Sequence, residues 1–223
     1  MNPLFCLSKF LEPQAKKKLS NEFSFFIRIA QPKDINSITE VLTNSFYSCQ
    51  GIMGYVRPFL RLGIYEDLRN RIRSKTEHYL CLVAMVVENT ESTRDVSNTR
   101  KQDLVGTVEI DVRSRGGMDV LLFNSWQLDN LDNFEYAYLS NLAVDANYRK
   151  LGVAQKLLSY CEHKVLGWGF CELYLHVLEN NYTARRLYDK AGYQLQEVEW
   201  TFGSLLFGQP RKLLLRKSFS SNI

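Results

Sequence analysis

The spacing of apolar and polar positions predicts strands and helices that alternate along the first half of the chain. Phe23–Ala30 is rich in β-forming residues and predicts a first strand, after which Pro32 and Asp34 open a helix. A second helix is predicted by apolar residues that stand four apart, namely Leu60, Ile64, Leu68 and Ile72. The apolar run Tyr79–Val87 and the alternating segment Leu104–Val112 predict two strands that pair as a hairpin.

The second half of the chain continues this pattern. Further strands are predicted at Glu135–Val144, Leu173–Leu178, Tyr193–Phe202 and Arg211–Ser218, and further helices at Gly152–Gly167 and Tyr182–Lys190. The predicted order is β-α-α-β-β-β-α-β-α-β-β, within a single domain that covers residues 23–223. Residues 1–22 are predicted to form a loose N-terminal arm, and the polar segment Glu88–Asp103 a loop.

Composition and charge narrow the functional classes. The hydrophobic share of 45% and the charged share of 23% exclude a collagen, a coiled coil and a wholly disordered chain. A net charge of +4 tolerates an anionic small ligand but is too small for a nucleic-acid-binding surface, so no nucleic-acid partner is expected. No apolar run approaches the ~20 residues of a membrane-spanning helix, so no membrane association is expected.

The five cysteines are scattered, and none stands in a Cys-x-x-Cys motif or a Cys/His cluster with metal-ligand spacing. The sequence therefore predicts no metal site, and reduced thiols in an intracellular protein. Cys161 and Cys171 fall at apolar positions and are predicted to lie in the core. The N-terminal segment lacks the long apolar region of a secretory signal peptide, which favours the cytoplasm; its few acidic residues keep a plastid or another organelle as the alternative.

A candidate anion-binding site lies in residues 141–158, which combine a buried strand, a turn and a helix. The helix is entered through Arg149-x-x-Gly152-x-Ala154, and its first amides have no partner within the helix. These amides and the helix dipole attract an anion, the small residues let a phosphate approach the backbone, and Lys150 adds positive charge. The alternative is an ordinary strand–turn–helix with a glycine in its turn. Neither a Walker loop nor a Rossmann fingerprint is present.

A second segment carries Asn181-x-x-Ala184-x-x-Leu187-Tyr188, followed by a glycine-aromatic turn. The two segments, in this order, resemble the acyl-CoA-binding motifs of the GNAT superfamily of N-acetyltransferases. The resemblance covers about Tyr138–Tyr193. It implies an α/β protein with the GNAT acyl-CoA N-acyltransferase fold, in which a mixed, mostly antiparallel central sheet is splayed in the middle and flanked by helices.

The resemblance also implies acetyl-CoA as the cosubstrate, with no metal. Its pantetheine arm is expected in the gap between the strands that begin at Glu135 and Leu173. The predicted cofactor-binding residues are Leu142, Ala143, Val144, Arg149, Lys150, Leu151, Gly152, Val153, Ala154, Asn181 and Tyr188. The backbone of Leu142 and Val144 is expected to hold the arm and polarise the thioester carbonyl, and the Leu151–Ala154 amides to bind the pyrophosphate. Asn181 is expected to steady the arm, or to cap its helix.

Two catalytic roles follow from the resemblance. Tyr188 matches the residue that protonates the departing CoA thiolate; the alternative is a tyrosine of the core. The general base is sought among His176, Glu109, Glu135 and ordered water. His176 stands twelve residues before Tyr188, where acetyltransferases of a ribosomal protein terminus carry a carboxylate, and a neutral imidazole suits the same task. The structural alternatives are a hydrogen-bonded strand histidine and, for Glu109, a solvent-facing strand residue.

The predicted reaction is direct transfer of the acetyl group of acetyl-CoA to a primary amine. The strand context Leu139–Val144 resembles that of GNAT enzymes that act on protein α-amino groups or lysine side chains. A protein or peptide is therefore the first choice of acceptor. A small-molecule amine and a noncatalytic acyl-CoA-binding sensor are the alternatives, and the sequence assigns no oligomeric state.

Overall fold

The computed structural model describes residues 24–46, 53–74, 76–87, 102–114, 135–200 and 209–219. The predicted N-terminal arm lies outside the described residues, as do most of the predicted loop 88–103 and residues 115–134. Among the described helices, none is long and apolar enough to cross a membrane. The described elements follow the predicted order.

Seven strands and four α-helices make up the described fold. The strands are β1 Phe25–Ile29, β2 Tyr79–Val87, β3 Gln102–Ser114, β4 Glu135–Val144, β5 Glu172–Leu178, β6 Gln194–Glu199 and β7 Lys212–Ser218. The helices are α1 Ile35–Phe46, α2 Met53–Ser74, α3 Val153–Gly167 and α4 Tyr182–Lys190. The predicted bounds of β2, β4 and α4 are confirmed. The helix α2 begins at Met53, well before the apolar positions that predicted it.

The seven strands form one sheet in the order β1-β2-β3-β4-β5-β7-β6, and β4 with β5 is its one parallel pair among the described strands. This pair is short, because only Ala137–Leu139 of β4 pairs with Leu173–Leu175 of β5. Beyond it, β4 remains paired with β3 and β5 with β7, so the sheet opens between β4 and β5. The predicted mixed, mostly antiparallel sheet with a splayed middle is confirmed.

A β-bulge in β4 lies where the sheet opens. The register between β3 and β4 shifts between Thr107 and Glu109, so Asn141 and Leu142 together oppose Val108. Asn141 has φ 54°, in the left-handed region that residues other than glycine, asparagine and aspartate rarely adopt. Such a bulge redirects the strand that carries it. The last residues of β4 therefore leave the sheet in a direction set at Asn141.

Different helices cover the two faces of the sheet. Side chains of α3 and α4 pack into one apolar cluster, among them Val153, Leu157, Leu158, Cys161, Val165 and Tyr188. Side chains of α1 and α2 pack into a second cluster on the other face, among them Ile35, Ile38, Val41, Leu42 and Leu68. The core position predicted for Cys161 is confirmed. The prediction for Cys171 is wrong: this residue is exposed, because it precedes β5 rather than lying within it.

Candidate active site

The predicted phosphate-binding segment lies at the N-terminus of α3. Lys150 and Gly152 both have positive φ, 66° and 83°, and Gly152 is the residue that caps the helix. No described side chain hydrogen-bonds to this helix start, and its first backbone bond joins the Lys156 N–H to the Gly152 carbonyl at 3.0 Å. The amides of Val153 and Ala154 therefore have no partner within the helix. This arrangement fits an anion such as a pyrophosphate.

Gly106 of β3 lets the start of α3 approach the sheet closely. A Cβ atom at this position would lie 3.1 Å from Cγ1 of Val153 and 3.2 Å from Cδ1 of Leu157. Both distances are tighter than ordinary carbon–carbon contacts, so a larger residue would displace the helix. A glycine within a strand often marks such a close approach. Gly106, which the sequence interpretation did not single out, therefore permits the close approach of the predicted anion-binding helix start to β3.

The predicted cofactor segment of β4 leads directly into this helix start. Leu142, Ala143 and Val144 come after the last β4–β5 pair, so backbone groups on the β5 side of this segment have no partner in β5. Arg149 donates a hydrogen bond from Nε to the Val144 carbonyl at 3.0 Å, which fixes the turn between β4 and α3. Leu151 lies in the same turn. An open strand edge and an uncapped helix start are thus contiguous along the chain.

Asn181 caps α4, as its structural alternative predicted. Its side-chain oxygen accepts a hydrogen bond from the Ala184 N–H at 3.2 Å. The residue is exposed, so capping leaves the amide nitrogen available to a ligand. The cap and the predicted contact with a pantetheine arm are compatible roles.

Tyr188 is buried in α4, where its ring packs edge-on against Tyr193 with centroids 5.7 Å apart. Burial raises the pKa of Tyr188 well above its ordinary value, and the nearby Tyr138 and Cys161 raise it further. The phenol therefore keeps its proton at neutral and moderately alkaline pH. This is the protonation state that a proton donor requires.

His176 belongs to a chain of three side chains, which we call the His176 chain: Tyr138, His176 and Glu199. The Tyr138 hydroxyl lies 2.7 Å from Nδ1 of His176, and Nε2 of His176 lies 2.6 Å from Oε1 of Glu199. A carboxylate only accepts hydrogen bonds, so Nε2 carries the hydrogen and Nδ1 accepts from Tyr138. The side chains of His176 and Glu199 are 25% and 23% exposed. The His176 chain thus ends on the buried phenol of Tyr138, while its His176 and Glu199 side chains are partly accessible to solvent.

The His176 chain stands at the opening of the sheet. Tyr138 pairs with Tyr174 in the short β4–β5 ladder, and His176 is the first residue of β5 after that ladder ends. The guanidinium of Arg113 stacks on the Tyr138 ring, with Cζ 3.5 Å from the centroid. Burial raises the pKa of Tyr138, and this rise is opposed by the positive charge of Arg113. Arg113 thus favours ionisation of the phenol that His176 contacts.

Glu109 is at the centre of a second group, the Glu109 cluster, which consists of Glu109, Tyr79, Arg71 and Asn141. Its Oε1 accepts from Nδ2 of Asn141 at 2.7 Å, and its Oε2 accepts from the Tyr79 hydroxyl at 2.8 Å. Arg71 of α2 pairs with Oε2 at 2.9 Å. The interpretation of Glu109 as a solvent-facing strand residue is wrong, because it is 1% exposed. The helices α1 and α2 cover that face of the sheet.

Glu135, the third candidate base, lies far from the opening. It is the exposed first residue of β4, seven positions before Leu142, which at the rise of a strand is about 23 Å along the chain. It therefore stands at the opposite end of β4 from the predicted cofactor segment.

The long-range contacts give the site four residues that the sequence interpretation missed in this role. Tyr138 and Glu199 complete the His176 chain, while Arg71 and Tyr79 complete the Glu109 cluster. The only sequence signal for these contacts was the presence of polar residues at positions predicted to lie in strands. Among the described residues no group of His, Cys, Asp or Glu is arranged to hold a metal ion.

A comparison with family models finds the acetyltransferase (GNAT) family over residues 58–193. GCN5-related N-acetyltransferase 10, chloroplastic, from Arabidopsis thaliana is 32% identical over 147 residues, which are 66% of this chain and 52% of the relative. The chain thus spans about half the length of this curated relative.

Two solved structures share the fold. PaiA N-acetyltransferase from Thermoplasma acidophilum, in complex with coenzyme A, has a TM-score of 0.58 at 21% identity. The match covers 88% of this chain and 99% of the PaiA chain. Arabidopsis thaliana NAA60, in complex with a bisubstrate analogue, has a TM-score of 0.61 at 18% identity, and the match covers 89% of this chain and 100% of the NAA60 chain. The family match extends over more than half of the chain and includes both predicted motifs. The chain belongs to the acetyltransferase (GNAT) family.

Proposed function

We propose that this protein is an acetyl-CoA-dependent N-acetyltransferase whose acceptor is a protein α-amino group or a lysine side chain. The observation that carries the proposal is the opening of the sheet between β4 and β5. Both the unpaired end of β4 and the His176 chain lie at this opening, and the end of β4 leads along the chain into the uncapped start of α3. The opening thus offers groups that suit a long, phosphate-bearing thioester together with groups able to move a proton.

The residues at the opening suit acetyl-CoA, which supplies the acetyl thioester when bound. Leu142, Ala143 and Val144 lie beyond the β4–β5 ladder, so those of their backbone groups that face the gap have no partner in β5; the Val144 carbonyl already accepts from Arg149. The amides of Leu151–Ala154 attract the pyrophosphate, with Lys150 beside them. Asn181 adds a side-chain amide at the start of α4. Backbone amides fixed in this way can also stabilise negative charge on a carbonyl oxygen.

Within this function the His176 chain removes a proton from the acceptor amine. Both ring nitrogens of His176 are already hydrogen-bonded, so it acts through Tyr138 rather than by direct contact. The phenol oxygen accepts the proton of the amine while its own proton passes to Nδ1 of His176. Glu199 holds the Nε2 hydrogen and stabilises the imidazolium that results. This assigns His176 the base role through a phenol that stands in front of it.

Tyr188 supplies the proton in the opposite direction. Its buried, neutral phenol remains a donor over the pH range in which the amine is deprotonated. A thiolate leaving group that takes this proton departs as a thiol. The two tyrosines therefore have separate tasks, Tyr138 toward the acceptor and Tyr188 toward the leaving group.

The charges around the His176 chain favour a singly charged amine over a polyamine. Asp111 is paired with Arg113 at 3.2 Å, and Glu172 is paired with Arg216 at 3.0 Å. Carboxylates that already have an arginine partner offer little to a second cation. The rings of Tyr136 and Tyr174, with centroids 5.5 Å apart, provide an apolar surface beside them. Such a surface suits a peptide backbone with a terminal amine.

The chloroplastic relative favours the plastid over the cytoplasm as the compartment of this protein. Detection of the native protein with an antibody in fractionated plant cells tests this part. Recovery with the plastids supports it, and recovery in the cytosolic fraction contradicts it.

Incubation of the purified protein with acetyl-CoA tests the function itself. Two acceptor sets, mixed peptides and a panel of small amines including polyamines, are compared by free-thiol release and by mass spectrometry of the products. Acetylated peptide termini or lysines are expected. Acetylated small amines alone would replace the proposed acceptor, and binding of acetyl-CoA without transfer to any acceptor would favour a noncatalytic sensor.

A further inference from the structure

We propose that Glu109 is a positioning residue, which holds Asn141 in its left-handed conformation and so fixes the end of β4 that receives CoA. This inference rests on the proposed function, because it concerns the same cofactor segment. It assigns Glu109 to the binding of the cosubstrate, and not to proton transfer.

The first step of the argument is the position of Asn141. It opens the bulge of β4, and the predicted cofactor residues Leu142–Val144 follow it directly. A change of its backbone from φ 54° to an extended conformation would remove the bulge and turn the following side chains to the other face. The direction of the cofactor segment therefore depends on one unfavourable backbone conformation. Asparagine tolerates this conformation better than most residues, but does not require it.

The second step is the contact that selects this conformation. The Asn141 side chain donates from Nδ2 to Oε1 of Glu109 at 2.7 Å, from β4 to the neighbouring strand β3. A hydrogen bond to a charged acceptor is among the stronger ones in proteins. Because Glu109 pairs with Ser140 in the ladder, the acceptor stands directly beside the bulge. The bond therefore restrains the residue on which the bulge depends.

The third step is the rigidity of the acceptor itself. The Tyr79 hydroxyl and the Arg71 guanidinium both contact Oε2, at 2.8 and 2.9 Å, and the side chain is 1% exposed. Arg71 also pairs with Asp67 at 2.6 Å on α2. Residues of β2 and α2 thus hold the Glu109 carboxylate in place independently of its bond to Asn141. A buried charge with this many partners has a fixed location.

The same contacts argue against proton transfer by Glu109. Both of its oxygens face donors of the protein, and burial together with the Glu109 charge raises the pKa of Tyr79. The phenol therefore stays protonated and continues to donate to the carboxylate. An acceptor amine has no free approach to either oxygen from solvent.

A pair of substitutions at Asn141 tests the inference, because both variants leave Oε1 of Glu109 without its partner and so disturb the buried carboxylate equally. Both Asn141→Ala and Asn141→Gly remove the bond to Glu109, but only glycine adopts positive φ without strain. We expect Asn141→Ala to weaken CoA binding about tenfold and Asn141→Gly about threefold or less, as measured by calorimetric titration of CoA. We also expect the glycine variant to melt at the higher temperature, whereas at ordinary strand positions alanine is the more stabilising residue.

Equal affinities and equal melting temperatures for the two Asn141 variants, or the reverse order, would overturn the inference. A parent protein that binds no CoA would contradict the proposed function instead, and the melting order would then test the role of the Asn141 conformation alone.

Glu109→Gln separates positioning from proton transfer. If Glu109 positions β4, this variant binds CoA several-fold more weakly and keeps the shape of the parent pH–rate profile. If it is the base, CoA affinity is retained, turnover falls by about a hundredfold or more, and the acidic limb of the profile disappears. The second result overturns the inference.

Discussion

The Glu109 cluster and the His176 chain contain similar side chains, a tyrosine and a carboxylate in each, yet their surroundings differ. Glu109 is 1% exposed and accepts from three side chains, so its charge is fully engaged. In the His176 chain the side chains of His176 and Glu199 are about a quarter exposed, Tyr138 is 8% exposed, and the three groups can exchange protons in sequence. In the account proposed above, burial and the number of partners, more than residue type, separate a positioning carboxylate from a group suited to catalysis.

The largest effect is expected on the exposed side of this comparison. His176→Gln preserves a hydrogen-bond acceptor for Tyr138 but removes the ring nitrogen that can take up a proton. We expect kcat to fall about a hundredfold or more, and the acidic limb of the pH–rate profile to vanish, because only a deprotonated base can accept the amine proton. CoA affinity serves as the control and should stay within twofold of the parent value. A parent-like profile would remove His176 from the base role.

The next effect concerns the second tyrosine. Tyr188→Phe should lower turnover about ten- to a hundredfold, with acetyl-CoA affinity nearly unchanged, because the phenyl ring still fills the core. Since burial raises the pKa of Tyr188, loss of its proton lies at strongly alkaline pH, and the parent rate should show no alkaline decline from this group below about pH 10. Unchanged turnover in steady-state assays would contradict the acid role.

A smaller effect is expected at the far end of the His176 chain. Glu199→Gln replaces a pure acceptor with a group that can also donate, so Nε2 of His176 is less strongly held in its protonated form. We expect about a tenfold loss of kcat, because the imidazolium formed during proton transfer loses its countercharge. Glu172→Gln, which removes a carboxylate paired with Arg216 instead, is the matched control. Equal losses in the two variants would contradict a specific role for Glu199.

The smallest effect tests the cofactor side of the comparison. Gly106→Ala introduces a Cβ atom 3.1 Å from Cγ1 of Val153, so the Val153 side chain or the helix α3 that carries it must move by a few tenths of an ångström. We expect several-fold weaker CoA binding and a loss of about 1–3 kcal/mol in the free energy of unfolding, both from calorimetry. Gly167→Ala, where a Cβ atom meets nothing within 4 Å, is the control. Unchanged affinity would show that the start of α3 does not need its present position.

Local sequence patterns were sufficient for most of the fold. The bounds of β2, β4 and α4 followed from apolar periodicity and turn residues, which act over a few positions along the chain. The open edge of β4 and the start of α3 followed from the family motifs. The element bounds and the family motifs can both be recognised from short stretches of sequence.

The networks were beyond local patterns because they depend on pairings between distant strands. Tyr138 and Glu199 meet at His176 only because β5 stands between β4 and the β7–β6 pair. Glu109 stood at a polar position of an alternating strand, which in a sheet with one open face predicts exposure. Here α1 and α2 cover that face. The alternating residues of β3 therefore point to two buried faces of the sheet, and not to the core on one side and solvent on the other.

One pair of variants tests the division of labour directly. CoA affinity and the single-turnover rate at saturating acetyl-CoA are measured for His176→Gln and Asn141→Ala with the acceptor found for the parent protein. The account predicts parent-like affinity and a rate at least about a hundredfold lower for His176→Gln, against about tenfold weaker affinity and a rate within about fivefold of the parent for Asn141→Ala. If both variants change the same quantity, or if their effects are exchanged, the separate roles of the two networks are contradicted.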